Sequence, residues 1–266
     1  GFANANLAAR QGTTAHKAAE AKALVMLGKM TDAELDATLL ELSVEPETGD
    51  EAYSEEMGEW ITEYIDLLKQ FADEGREVLI EQRVSAAVPL TGGHEGEVYE
   101  VKGSADATAL PLDLKPRKKK TKKNRRSIDV VDLKYGNGIF VEVDENSQAR
   151  FYGLGVLGDL ADDEGNLPDV DDITYHIVQP RLGGIRSWTE SIDDLLDWRD
   201  NVAAPALTAA LYGPEEGATF APSESACQFC PARGTCEALA EDVFAKGADL
   251  FEAIDNGDFP EWEFGV

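Results

Sequence analysis

Ile128-Asp129-Val130-Val131-Asp132-Leu133-Lys134 reads as an apolar strand that carries charge. Side chains alternate along a strand, so Asp132 and Lys134 share one face about 7 Å apart. Burying a carboxylate and an ammonium among Val and Leu is costly unless they are paired or bind metal. Asp106, read as following a Gly103-Ser104-Ala105 turn, adds a second carboxylate. Two carboxylates suit a hard cation such as Mg²⁺, which keeps several waters and engages phosphate oxygens. The lysine could orient or deprotonate a metal-polarised water, or neutralise a phosphate. The pattern points to phosphodiester cleavage; a surface Asp-Lys pair is the bland alternative.

Outward from this strand, helices flank a run of strands, giving an α/β or α+β class. Residues 5–28 are Ala/Leu-rich and helical. Residues 31–43 open with Thr31 and Glu34, a helix-cap pair. A polar Pro/Gly loop covers 44–52. One long amphipathic helix is predicted over 53–74, with Trp60, Tyr64, Leu67, Leu68 and Phe71 at helical spacing and Gly75 ending it. Strands follow at 78–84, 97–101 and 103–110. After a basic interruption at 113–127 come strand 128–134, a Gly-Asn-Gly turn and strand 139–143. A helix over 147–160, strands over 173–179 and 185–188, a helix over 192–211 and a terminal helix over 237–254 complete the pattern. The tail beyond Asp255, with Trp262 and Phe264, reads as a mobile arm or a docking strand.

The 266 residues allow one elaborated domain or two small ones. No apolar run approaches the ~18 residues of a membrane span, and no signal peptide opens the chain, so a cytoplasmic protein without membrane partners is expected. There is no initiator Met, so Gly1 reads as the start of a trimmed chain. Net charge is −28. Nine of the 24 basic residues fall between Lys115 and Arg126; without them, 15 basic residues face 52 acidic ones, a balance of −37. So acidic a surface suits a high-salt cytoplasm, or is simply that of an acidic bacterial or viral protein.

Further residues carry chemistry. His16, after Gly12-Thr13-Thr14-Ala15, shares a helix face with Glu20. Its imidazole would add a nitrogen ligand and favour Mn²⁺; otherwise it packs or caps. Gln148 and Tyr152, one turn apart, offer an amide and a phenol for phosphate or base on the helix after the strand pair. Cys227, Cys230 and Cys236 form C-x2-C-x5-C, a spacing that commonly ligates zinc or an iron–sulfur cluster. His94 or His176 could complete that set only if the fold brings one close. Lys118, Lys119, Lys120, Lys122, Lys123, Arg125 and Arg126 form an exposed basic tract that would contact phosphates by counterion release. A disordered tract or a targeting address is the alternative.

In order, Gly12…His16, Gly103…Asp106, Asp132-Leu133-Lys134, Gln148…Tyr152 and the three cysteines resemble the RecB-like branch of the PD-(D/E)XK nucleases over most of the chain. Asp132-Leu-Lys-Tyr-Gly-Asn-Gly and Gln179-Pro180-Arg181 look most like phage and prophage members, related to CRISPR-associated RecB-like exonucleases. The resemblance implies a restriction-endonuclease-like α/β fold, a central mixed sheet flanked by helices. It implies a single domain over 1–266, with a helical part to 75, a core over 76–190 with the basic insertion, and C-terminal helices with the cysteines from 191. It implies Mg²⁺ or Mn²⁺ held by His16, Asp106, Asp132 and the Leu133 carbonyl, with Lys134 assisting the attacking water and Gln148 and Tyr152 steering DNA. The cysteines would join another near the N-terminus to hold a [4Fe–4S] cluster. No cysteine precedes His16, so the fourth ligand is missing from this sequence, which is expected to be truncated. The function implied is exonuclease action at DNA ends in phage or viral recombination, replication or repair. The alternatives are a silent DNA-end-binding protein and a zinc- or cluster-bearing interaction module of a viral replication complex. Glu81 lies on an earlier strand and no motif assigns it.

Overall fold

The computed structural model describes residues 2–44, 52–115, 125–136, 139–213, 218–227 and 230–255. The chain divides into two compact units, Gly1–Pro205 and Ala206–Val266. Lys118, Lys119, Lys120, Lys122, Lys123 and the Trp262/Phe264 tail lie outside the described residues.

The first unit is a mixed five-stranded sheet with flanking helices, as the sequence predicts. Its strands are β1 (Glu77–Pro89), β2 (Val98–Leu110), β3 (Ser127–Leu133), β4 (Asp172–Gln179) and β5 (Gly184–Ser191), in the spatial order 1-2-3-4-5. All neighbours are antiparallel except β3 and β4, which run parallel. Parallel strands need a crossover, and α5 (Ser147–Asp159) lies in the β3–β4 connection.

On one face, α1 (Phe2–Met26) and α4 (Thr62–Asp73) cover the sheet. Ala15, Ala18, Ala19 and Ala23 of α1 pack with Tyr64, Leu68 and Phe71 of α4 against Ala107, Ala109, Val131, Leu133 and Val178. The run of alanines lets α1 approach the sheet closely, which positions His16. The helix α2 (Asp32–Leu42) begins with the predicted capping box: the Glu34 N–H donates to the Thr31 hydroxyl, and the Thr31 N–H to Glu34.

On the other face α5 lies so close to β1 that a Cβ on Gly155 would come within 2.6 Å of Val84 Cβ and 3.2 Å of the Ser85 nitrogen. Gly155→Ala gains up to ~1 kcal/mol in helix propensity. Overpacking against a β-branched side chain and backbone costs ~1–3 kcal/mol. Net destabilisation is therefore expected, read as a lower urea midpoint with an unchanged slope.

Four local expectations are corrected. The helix predicted over 53–74 is two, α3 (Glu55–Trp60) and α4, joined at Ile61. The Gly58 carbonyl, which a continuous helix gives to the Thr62 N–H, accepts instead from the Thr62 hydroxyl and Lys22 Nζ. The two strands and Gly-Ser-Ala turn expected before Asp106 are one continuous strand, β2, which pairs with β1 from Val98 to Leu110 except at Asp106. Residues 139–143 form no strand. β3 has β2 on one side and β4 on the other, so no free edge remains for a hairpin partner. The helix over 192–211 is α6 (Ile192–Trp198), a π turn at Arg199–Ala203, and α7 (Ala204–Tyr212). Pro205 lacks the N–H that a regular helix would give to Asn201, and the widened turn absorbs the loss.

Two buried charged groups fix the sheet. Asp129 is bonded by His176 Nε2 (2.7 Å) and paired with Arg76, which also donates to the Ala109 and Ser127 carbonyls. Arg150 pairs with Glu190 and lies between the Trp188 and Trp198 rings. In the second unit, α8 (Glu224–Cys227) precedes the cysteine loop and α9 (Glu237–Asp255) follows it.

Candidate metal and phosphodiester site

One row of side chains crosses the sheet at a single level. Ile80 pairs with Ala107 and Gln82 with Ala105, which places Glu81 of β1 opposite Asp106 of β2. Ala107 pairs with Val131, which carries the row to Asp132 of β3. Asp132 pairs with Ile177, and Ile177 with Arg186 of β5.

Glu81 has φ of 49°, a left-handed backbone that a non-glycine residue seldom adopts. It interrupts the β1–β2 ladder at the level of Asp106. Such strain persists where the surroundings over-determine it, and it concentrates at functional sites. Ser104 Oγ donates to Glu81 Oε2 at 3.1 Å. His16, Glu81 and Asp106 each bring one ligand atom within 4.8 Å of the others; among the described residues they are the one such group of His, Cys, Asp or Glu.

Asp106 is the hub. His16 Nδ1 lies 3.3 Å from its Oδ1, and the Leu133 N–H donates to its Oδ2 at 2.7 Å. Asp132 is buried, and its Oδ2 meets Lys134 Nζ at 2.7 Å. A hydrogen-bonded chain continues outward: Lys134 Nζ donates to Gln148 Oε1 (3.1 Å), and Gln148 Nε2 to the Tyr152 hydroxyl (2.7 Å). The Tyr152 ring lies over Gly103, where a Cβ would come within 2.7 Å of its Cε1. The glycine three residues before Asp106 and the tyrosine four after Gln148 therefore belong together for a steric reason.

The charges are unbalanced towards the negative. Burial and the Asp106 charge raise the Asp132 carboxyl above its ordinary range, against the lowering effect of Lys134. Burial and Asp106 likewise raise Glu81. For His16 burial alone would lower the pKa, but the hydrogen bond and charge of Asp106, with the charge of Asp132, lift it above 6.5. This is the signature of a site lacking positive charge. One imidazole and several carboxylates fit a divalent ion of the Mg²⁺/Mn²⁺ type. Protons compete for the same atoms. Mn²⁺ affinity is therefore expected to fall as pH drops and His16 takes its proton, at a pH above the ordinary imidazole value, and further as Glu81 and Asp132 follow. Calorimetric titration at a series of pH values measures this.

The structure thus gathers His16, Glu81 and Asp106 into one ligand group, with the Leu133 N–H on Asp106, and links Asp132, Lys134, Gln148 and Tyr152 in a chain outside that group. No local sequence signal singles Glu81 out, since it opens the polar Glu81-Gln82-Arg83 stretch of a predicted strand. Tyr64, fully buried beside these carboxylates, is the other residue the motifs did not select; burial and the nearby Asp106 charge hold its phenol well above the ordinary value. Of the basic tract, Arg125 pairs with Asp172 and Arg126 with Asp113 and Asp169. Cys227, Cys230 and Cys236 are free, partly exposed thiols, and no group of three sulfurs lies within 4.8 Å among the described residues. Three thiolates are also one short of the four that a [4Fe–4S] cluster takes, so the described residues do not fit that cluster. Both ring nitrogens of His176 are engaged, by Asp129 and Ser187.

Fold and site together define an α/β protein with a candidate divalent-cation centre at one level of its sheet. Over residues 3–256 the chain matches the family described as "Protein of unknown function (DUF2800)", and it belongs to that family. Among solved structures it is similar to one described as "Crystal structure of SSO0001", with 12% identity, 67% of each chain covered and a TM-score of 0.34; a likeness of that size carries no argument. No helix among the described residues is long and apolar enough to cross a membrane.

Proposed function

We propose that this chain is a metal-dependent DNA nuclease with a RecB-like, PD-(D/E)XK type of site. The observation that carries the reading is the continuous chain Asp132–Lys134–Gln148–Tyr152 beside the His16/Glu81/Asp106 group. His16, Glu81, Asp106, Asp132 and the Leu133 carbonyl are the groups to hold Mg²⁺ or Mn²⁺. Such an ion supplies Lewis-acid polarisation of the scissile phosphate and lowers the pKa of a bound water.

The protein's own residues do the rest. Lys134, steered by Asp132 and Gln148, positions the attacking water or neutralises charge on the phosphate. Gln148 and Tyr152 face the nucleic acid. Lys118, Lys119, Lys120, Lys122, Lys123, Arg125 and Arg126 form a concentrated run of positive charge in a chain of net −28, a composition that suits a polyanion, with Arg125 and Arg126 themselves held by Asp172, Asp113 and Asp169. The activity that fits best is exonucleolytic, at DNA ends, in a phage or viral recombination, replication or repair setting with proteins of those pathways as partners. Cys227, Cys230 and Cys236 keep the spacing of a metal clasp, but as described they do not fit a [4Fe–4S] cluster, and no step depends on them.

The test is digestion of end-labelled single- and double-stranded DNA with Mn²⁺ against EDTA. Mn²⁺-dependent loss of the label is expected. Metal-dependent binding with no product would overturn the nuclease reading in favour of a silent end-binding protein.

A further inference from the structure

Next to the candidate metal centre, on the same face of the sheet, lies an aromatic platform. Ile177 is in register with both Asp132 and Arg186. Laterally paired residues project to one face, and two strand spacings separate Asp132 from Arg186 by about 10 Å. The Arg186 guanidinium lies against the Phe140 ring, 3.8 Å from its centroid. Phe140 is nonetheless 55% exposed and the adjoining Ile139 50%.

The segment that carries them is pinned. Gln179, 1% exposed, accepts from the Val141 N–H (2.9 Å) and donates to the Ile139 carbonyl (3.0 Å). Arg186 Nη2 donates to the Val141 carbonyl (2.9 Å) and to Gln179. Its buried Nε and Nη1 have no hydrogen-bond partner. The guanidinium is thus committed to the ring, which turns its other surface to solvent. Phe140 and Ile139 present an adjoining apolar surface, fixed in place and backed by a cation, on a strongly acidic protein.

We infer that Phe140, backed by Arg186, stacks an unpaired nucleobase of a single-stranded end whose backbone passes the metal centre. The inference rests on the nuclease reading above for its substrate. Every base has a π-face and aromatic stacking needs an unpaired one. The site would therefore take single strands, or frayed ends, in preference to intact duplex.

The experiment uses the full chain with Lys134→Ala, which holds rather than cuts, in Mn²⁺. Fluorescence anisotropy compares short single-stranded oligonucleotides that are intact or carry one abasic position at successive places from the end. At one position, removing the base is expected to weaken binding about 5- to 150-fold, the range for loss of one base–aromatic stack. Phe140→Ala should give the same loss with intact DNA and make the abasic change neutral; Phe140→Trp should restore the parent behaviour. Equal affinity for every abasic oligonucleotide, or an abasic penalty that persists unchanged in Phe140→Ala, overturns the platform. An equal loss on blunt duplex overturns the preference for single strands. Mn²⁺-dependent digestion by the parent, scored separately, tells these failures from a failure of the nuclease reading: digestion without a base-dependent step overturns the platform alone.

Discussion

Lys134→Ala is expected to lower Mn²⁺-dependent cleavage by ~10²–10⁴-fold, the range a positioned proton-transfer group supplies, while DNA affinity changes little. The residue is placed for this. Its Nζ is held by Asp132 Oδ2 and Gln148 Oε1 at 2.7 and 3.1 Å. Two anchors fix one ammonium and leave its remaining donor for a water or a phosphate oxygen. Lys134→Arg keeps the charge but replaces a compact ammonium with a planar fork that these two anchors do not match. If the lysine only neutralises phosphate, arginine should rescue much of the rate; if it positions a water, arginine should not. Single-turnover rates with end-labelled DNA separate the cases, and an unchanged rate in Lys134→Ala would remove the residue from the site.

Asp106→Asn is expected to abolish the thermal stabilisation that Mn²⁺ gives the parent. A ligand bound to the folded state at a hundredfold excess over its Kd adds about 2.7 kcal/mol, and Asp106 is the carboxylate shared by His16 and the Leu133 N–H. Asparagine keeps an acceptor for that N–H, so folding should survive while metal binding fails. Asp132→Asn separates the charge from the fold. Burial raises the Asp132 carboxyl in the folded state, so the folded chain binds its proton more tightly than the unfolded one. The metal-free parent is then most stable at low pH with respect to this group and loses that stability as pH rises through the raised value. An asparagine carries no charge at any pH. The metal-free variant should therefore melt above the parent at neutral pH, yet gain less from Mn²⁺. Thermal melts with and without metal check both, and a parent indifferent to Mn²⁺ at neutral pH would refute the cation site.

Much of this site was legible in the sequence because its signals are local. Charge on an apolar strand, a histidine one turn from a glutamate, and an amide and a phenol at i and i+4 each need only strand or helix periodicity to be read. The Gly103/Tyr152 contact shows how two distant motifs join: the ring needs a position without a Cβ. Glu81 was harder. Its role depends on a left-handed backbone at one point of β1 and on its register with Asp106, neither of which has a local sequence signature. The strand expected at 139–143 failed for a related reason. Its apolar residues suit a strand, but both edges of β3 were taken by elements far away in sequence.

The sequence by itself determined most element types, the polar residues on β3 and the candidate site residues other than Glu81, because propensity, alternation and side-chain chemistry are properties of short segments. Tertiary structure decided which carboxylates meet. Strand register places Glu81, Asp106 and Asp132 at one level, and the alanine face of α1 lets His16 reach them. It also turned a failed strand into the pinned segment that presents Phe140 on Arg186. Register and close approach are set by pairing and packing between segments dozens of residues apart, and no window along the chain contains both partners.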